Sequence, residues 1–165
     1  MADAYYQFTN WTGSVESSVN PLNVLMDRPK TLAAHFAETW TTNQPTPRWW
    51  LAEYGLTNFE ADVLLDADED GVPTGDEWVM NTDPTNGLSY LHVAGLGLRG
   101  GGKILTWPCA TDRVYDVEFD TTFPQGGWAP VPGLTNLGCA DGWLSLTNTL
   151  SPEALKMYRL KVRVP

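Results

Sequence analysis

The sequence predicts a mainly β (α+β) chain, with strands at both ends and a short helical element between them. Three observations carry this. Twelve prolines and 15 glycines stand beside only 18% charged residues, a composition that suits loop-rich β structure better than a helical bundle. Apolar and polar residues alternate with period two between residues 5 and 37, and again in several short runs after residue 88. Between them, residues 48–87 carry ten acidic side chains against one basic, and this block holds nearly all of the net charge of −10.

These quantities also exclude classes of function. At 165 residues the chain is long enough to bury a sizeable core. No apolar run approaches the length of a membrane span, so none is expected. Met1–Tyr6 has neither a basic flank nor an apolar stretch and does not read as a signal peptide. An acidic chain with no basic patch is not expected to bind nucleic acid.

Along residues 1–37 three strands are expected: Tyr6 to Gly13, Leu22 to Met26, and Thr31 to Phe36, with turn chemistry at Asp27-Arg28-Pro29-Lys30. Residues 38–47, with Pro45 and Pro47, have linker composition. From Arg48, the residues Trp49, Trp50, Leu51 and Tyr54 share one helical face before Gly55. Thr57 or Asn58 then caps a second short helix with Phe59, Val63 and Leu64 inward. Residues 88–165 return to strands: Leu88–Val93, Lys103–Trp107, Arg113–Asp120, Trp143–Thr147 and Met157–Val164, with glycine-rich turns at 95–102, 126–127 and 133–142. Short strands at this spacing predict an antiparallel β-sandwich. Asp116, Glu118 and Asp120 share one strand face, while Arg159, Lys161 and Arg163 share another. Adjacent pairing of these strands would match acid to base.

The strongest motif is Asp66-Ala67-Asp68-Glu69-Asp70-Gly71-Val72-Pro73-Thr74-Gly75-Asp76-Glu77, which fits D-x-D-x-D-G-x5-E. Ca2+ takes about six to eight oxygen ligands, and alternate positions of a tight loop converge inward. The expected ligands are Asp66, Asp68 and Asp70, the Val72 carbonyl, Thr74, and Glu77 from the start of a helix. Gly71 supplies the positive φ at the chain reversal. The competing reading is a solvated acidic loop. Pro73 has no N–H for the backbone pairing of two such loops, and Asp83-Pro84 clips the exit helix, so a sensor of paired hands is not expected. Asp83 either adds a ligand or caps a turn.

Cys109 and Cys139 either form one disulfide or remain two unpaired small apolar residues. His35 and His92 read as packed or rim histidines. Gly95 to Gly100 reads as a turn, because no βαβ unit surrounds it. No nucleophile elbow, zinc motif or phosphate loop appears, so no catalytic residue is assigned and an enzyme is not expected. Trp11, Trp78, Trp107 and Trp143 are expected in cores. Trp40, Trp49, Trp50 and Trp128, in loops or helix ends, either pack or stack on glycans.

Three resemblances accompany these readings. Tyr6-x-Phe8-x-x-Trp11-x-Gly13, Asn20-Pro21-Leu22-x-Val24-x-Met26-Asp27 and Lys30-Thr31-Leu32-x-Ala34-x-Phe36 resemble the second half of a divergent internalin-type B repeat of bacterial surface proteins. The loop from Asp66 to Glu77 is similar to the single calcium loops of dockerin-like and thrombospondin type 3-like segments. Trp50 to Gly55, the loop, and Thr82-Asp83-Pro84-Thr85-Asn86 resemble an element near the C-termini of large secreted bacterial proteins, where it precedes a fibronectin-like sandwich. Trp107-Pro108, Val114-Tyr115-Asp116-Val117 and Tyr158-Arg159-x-x-Val162 match that module's strands.

The resemblances imply a partial β repeat at 1–37, a linker at 38–47, a calcium-loop helical element at 48–87 and a β-sandwich at 88–165. They imply a secreted or cell-surface structural or adhesion region, its export signal removed or upstream. Two alternatives stand beside it: a filament or anchor subunit that self-associates by strand addition at an open N-terminal sheet edge, and a polysaccharide-binding module.

Overall fold

In a computed structural model, which describes residues 4–99, 102–122, 126–148 and 157–165, the chain forms two compact units, Met1–Leu65 and Asp66–Pro165. The boundary falls within the segment 48–87 that the sequence groups as one element. Strands outnumber helical residues, and the sheets are small and antiparallel. Among the described residues no helix is long and apolar enough to cross a membrane.

The first unit opens with β1 (Tyr6–Gly13) and β2 (Leu32–Glu38), paired antiparallel with a bulge between Phe8 and Asn10. Phe8 packs on Trp11 and Phe36, with ring centroids 5.4 and 6.0 Å apart. The expected strand at Leu22–Met26 does not form. The segment is irregular, and Leu25 and Met26 are 80% and 69% exposed, because no described strand offers it a ladder. The linker composition of 38–47 is misleading too. Thr41 and Thr46 are buried, and the Thr46 N–H donates to Thr41 Oγ1 at 3.0 Å, so the segment closes on itself.

Helix α1 (Arg48–Glu53) buries Trp50 and Leu51, and Gly55 ends the turn at φ +75°. Helix α2 (Phe59–Asp62) buries Val63 just beyond its end, but Leu64 is 54% exposed, against expectation. The helix stops after four residues and no longer presents that position inward. Asn58 gives no side-chain cap; its N–H instead donates to Asp62 Oδ2 at 2.9 Å. Glu60 ties α2 to the preceding turn, accepting from the Thr42 N–H and hydroxyl and from the Arg48 guanidinium at 2.9–3.0 Å.

The second unit contains α3 (Thr74–Met80) and two sheets. One has the order β3 (Gly95–Arg99), β4 (Gly102–Pro108), β8 (Trp143–Asn148). The other centres on β5 (Val114–Asp120), which pairs β6 (Ala129–Pro130), β7 (Leu137–Gly138) and β9 (Met157–Arg163). Leu105 and Trp107 from the first sheet, Tyr115 and Val117 from the second, and Val131 and Leu134 form one buried cluster. Two expectations need correction. Leu88–Val93 is irregular, and the strand lies at Gly95–Arg99 instead. The glycines read as a turn leave the β4 side chains of Ile104 and Thr106 room beneath a paired backbone.

The acid-to-base match is present. Asp116 faces Lys161 and Glu118 faces Arg159 in the β5–β9 register, and Arg159 to Glu118 and Arg163 to Asp116 close at 2.6 Å. Arg113, just before β5, is 2% exposed and holds the end of α3. Its guanidinium donates to the Val79 carbonyl at 2.7 Å and to the Trp78 carbonyl, and it lies 4.8 Å from the Trp78 ring. Carbonyls at a helix C-terminus have no partner within the helix, and a cation there answers both the missing bonds and the dipole.

Two predictions follow from these contacts. Arg113→Ala should lower unfolding stability by about 3 kcal/mol in denaturant titration, because buried charge-assisted bonds are lost and the Val79 carbonyl loses its guanidinium donor, while the Trp78 carbonyl keeps only the Asn81 N–H. For Glu60 the hydrogen bond from the Thr42 N–H, with those from its hydroxyl, Arg48 and Asn43, lowers the pKa from 4.5 to about 2. A depressed carboxylate stabilises the native state above the unfolded pKa and loses that effect as pH falls through about 2. Glu60→Ala should therefore lower the thermal midpoint at neutral pH, and the difference from wild type should vanish near pH 2.

Candidate metal site

The loop between Leu65 and α3 turns on its own carboxylates. Asp66 Oδ2 accepts from the Gly71 N–H at 2.8 Å, Asp70 Oδ1 from the Val72 N–H at 2.8 Å, and Asp66 Oδ1 from the Asp70 N–H at 3.1 Å. Glu69 and Gly71 both take positive φ, at 63° and 95°, and complete the reversal. As a result Asp66, Asp68 and Asp70 each bring a carboxylate oxygen within 4.8 Å of the others, close enough for one metal ion. Repulsion among three anions at that distance is substantial unless a cation joins them.

Glu77 is the decisive neighbour. It lies on α3, is 0% exposed, and leaves Oε2 without a hydrogen-bond partner, while Oε1 accepts from the Thr82 hydroxyl at 3.2 Å. Asp68 Oδ2, Asp70 Oδ2 and Thr74 Oγ1 are likewise buried and unpartnered. Buried polar atoms are almost always satisfied, so these orphaned oxygens from the expected ligand set suit a hard, oxygen-seeking cation, although Glu77 stands outside the group of three carboxylates that converge within 4.8 Å. Burial, reinforced by the charges of Asp68, Asp70 and Asp83 and opposed by the Thr82 hydroxyl, pushes Glu77 from 4.5 up to about 7.

The remaining candidates fall as follows. Asp83 caps a turn, its Oδ1 accepting from the Thr85 N–H at 3.0 Å and the Thr85 hydroxyl at 2.7 Å. Gly87 escaped the sequence reading, although a Cβ there would stand 3.3 Å from the Asp68 carbonyl oxygen; only its place one residue after the Thr82–Asn86 element hinted at it. Cys109 and Cys139 are joined, with Cα atoms 5.8 Å apart. Of the aromatics offered to glycans, Trp50 is buried, Trp40 is 42% exposed, Trp49 is half-buried, and Trp128 is half-buried with Arg159 4.5 Å from its ring. Trp143, expected in the core, is 54% exposed because its neighbours Leu144 and Leu146 take the inward positions of β8. It borders a cavity of about 380 Å³ with Asn81, Ser89, Tyr90 and Pro108. His35 bonds Thr12 at 2.7 Å on the exposed hairpin, and the His92 ring lies tilted against Tyr90, with centroids 4.7 Å apart.

Comparison with protein-family models, with curated proteins and with solved structures finds no match for this chain. The chemistry of the loop therefore carries the functional argument.

The raised Glu77 gives a signed prediction. An acid whose folded pKa exceeds its unfolded value favours the native state when protonated, and that contribution is lost as pH rises from about 4.5 through about 7. In chelator the chain should lose stability over that window, by at most about 3 kcal/mol. Glu77→Gln should flatten the dependence, as read from thermal midpoints at pH 5 and pH 8.

Proposed function

We propose that this chain is a non-catalytic, calcium-stabilised structural or adhesion region of an extracellular bacterial surface protein. Its second unit is read as an antiparallel β-sandwich on which the calcium-loop helix is seated. The single observation that carries the proposal is the buried, half-satisfied Glu77 carboxylate beside three converging aspartates. Asp66, Asp68, Asp70 and Glu77 would supply charge, with Val72 and Thr74 completing the oxygen set. Ca2+ bound there would neutralise the loop and hold the first turn of α3, while Arg113 holds the last.

The location outside the cell rests on the resemblances and on the Cys109–Cys139 bond, which belongs to oxidising compartments. The polysaccharide reading keeps one specific support, the exposed Trp143 at the rim of the cavity.

Linkage makes the proposal measurable. A ligand that binds only the folded chain at a hundredfold excess over its Kd stabilises by about 2.7 kcal/mol. The thermal midpoint should rise with Ca2+ and return with chelator, and Asp68→Ala or Asp70→Ala should abolish the rise. An unchanged midpoint at millimolar Ca2+ would reduce the loop to an acidic turn.

A further inference from the structure

The hairpin of the first unit holds an acceptor without a strand and a strand without an acceptor. In the β1–β2 ladder Trp11 exchanges backbone hydrogen bonds with Ser17 on the outer side of β1, at 2.7 and 3.2 Å. Trp11 is opposite Ala34, so Trp11 and Ala34 form a non-hydrogen-bonded pair, and the amide and carbonyl of Ala34 point away from β1. By the same alternation Leu32 and Phe36 point outward. Among the described residues no strand pairs with this side of β2. The edge carries none of the usual protection: Leu32-Ala33-Ala34-His35-Phe36-Ala37 has no proline, lysine or bulge, and Glu38 ends it.

The unused strand is Leu22-Asn23-Val24-Leu25-Met26. Its alternation is that of a strand, yet it joins no sheet, and Val19, Leu25 and Met26 are 63%, 80% and 69% exposed. The chain that leads from it to β2 is fixed, with Lys30 on Asp27 at 2.7 Å and the Ser14 N–H on the Thr31 carbonyl at 2.8 Å. Leu22, Val24 and Met26 are spaced to extend the apolar row Leu32, Ala34, Phe36, beside Phe8 and Trp11.

We propose that two copies of this chain exchange these segments, residues 22–26 of each adding to the outer edge of β2 in the other. The occupant is a second copy because the same chain offers both halves, so the exchange closes on itself with two-fold symmetry. Charge permits this choice locally: residues 17–26 and 32–37 carry no charge, so the exchanged segments meet without like-charge repulsion between them, while the net charge of −10 opposes association elsewhere and keeps the dimer weak. Two additions of five to seven residues lie at the low end of specific interfaces, under about 1,200 Å², so the dimer forms only at high concentration. The inference does not rest on calcium, since every residue involved precedes Leu65.

Light scattering on the full chain, dilute and concentrated, tests this, with amide exchange at Ala34 and Phe36. The expected result is a monomer that becomes a dimer on concentration, with both amides gaining protection. Ala34→Pro removes an amide that the β1 ladder does not use, and Met26→Lys charges the donor at an exposed position; each should restore the monomer with the circular dichroism unchanged. If Ala34→Pro unfolds the hairpin, Met26→Lys alone decides. A strict monomer at high concentration, a dimer indifferent to Met26→Lys, or Ala34 and Phe36 amides already protected in the dilute monomer would each overturn the proposal. The last would mean that the segment closes on β2 within its own chain.

Discussion

The second unit depends on a carboxylate that cannot stay charged alone. Glu77 is fully buried with one oxygen unpartnered, and three aspartates gather on the loop that precedes it. Burying an unpaired anion costs several kcal/mol, so the native chain has two ways to keep Glu77 where it is: a proton or a cation. The proton suffices in acid; as pH rises through about 7 it is lost. A helix of seven residues has little stability of its own, so what holds its ends decides whether it forms. One end meets this acidic cluster and the other meets Arg113, whose guanidinium covers the last carbonyls and the Trp78 ring.

Arg113 also explains how a short helical element joins a β unit. It immediately precedes β5, the strand that pairs with three others, and β5 sends Tyr115 and Val117 into the core cluster. The outward face of β5 meets β9 through opposite charges, with Glu118 shared between Arg159 and Lys161. Those side chains are partly exposed and each pair is worth at most about 1 kcal/mol, so their larger effect is on register. A slip of one residue would turn acids toward the core and leave basic side chains facing apolar ones. Alternation and charge thus select the same alignment.

Much of this unit was legible because its determinants are local. The loop motif dictates turn, glycine and carboxylate positions within twelve residues, and the structure brings three of its aspartates together. Strand alternation located β4, β5, β8 and β9 to within a residue or two. What escaped depends on partners distant in sequence. Trp143 reads as core by its type, but β8 alternates Leu144 and Leu146 inward and pushes it out. Gly95–Arg99 reads as a turn by composition, and only pairing with β4 makes it a strand. Gly87 matters because the Asp68 backbone passes beside it, and nothing within a few residues announces that contact. Thr41 and Thr46 turned linker chemistry into a closed, buried turn through bonds between themselves.

The first unit fails in the opposite sense, and the failure is informative. Leu22–Met26 has every local mark of a strand, and so does the edge it would need, yet the two do not meet in the chain. Hydrophobic alternation encodes a face to be covered, not the molecule that covers it. Two strands alone are marginal in water, and within residues 4–38 no hydrophobic side chain is fully buried, the aromatic contacts of Phe8, Trp11 and Phe36 remaining partly open. The buried residues of this unit lie instead between Thr41 and Val63. A sheet with an aromatic face, an unguarded edge and a spare strand is the pattern on which the proposed strand exchange rests. Its local signals are mutually consistent, and among the described residues only the partner that would satisfy them is missing from the sheet.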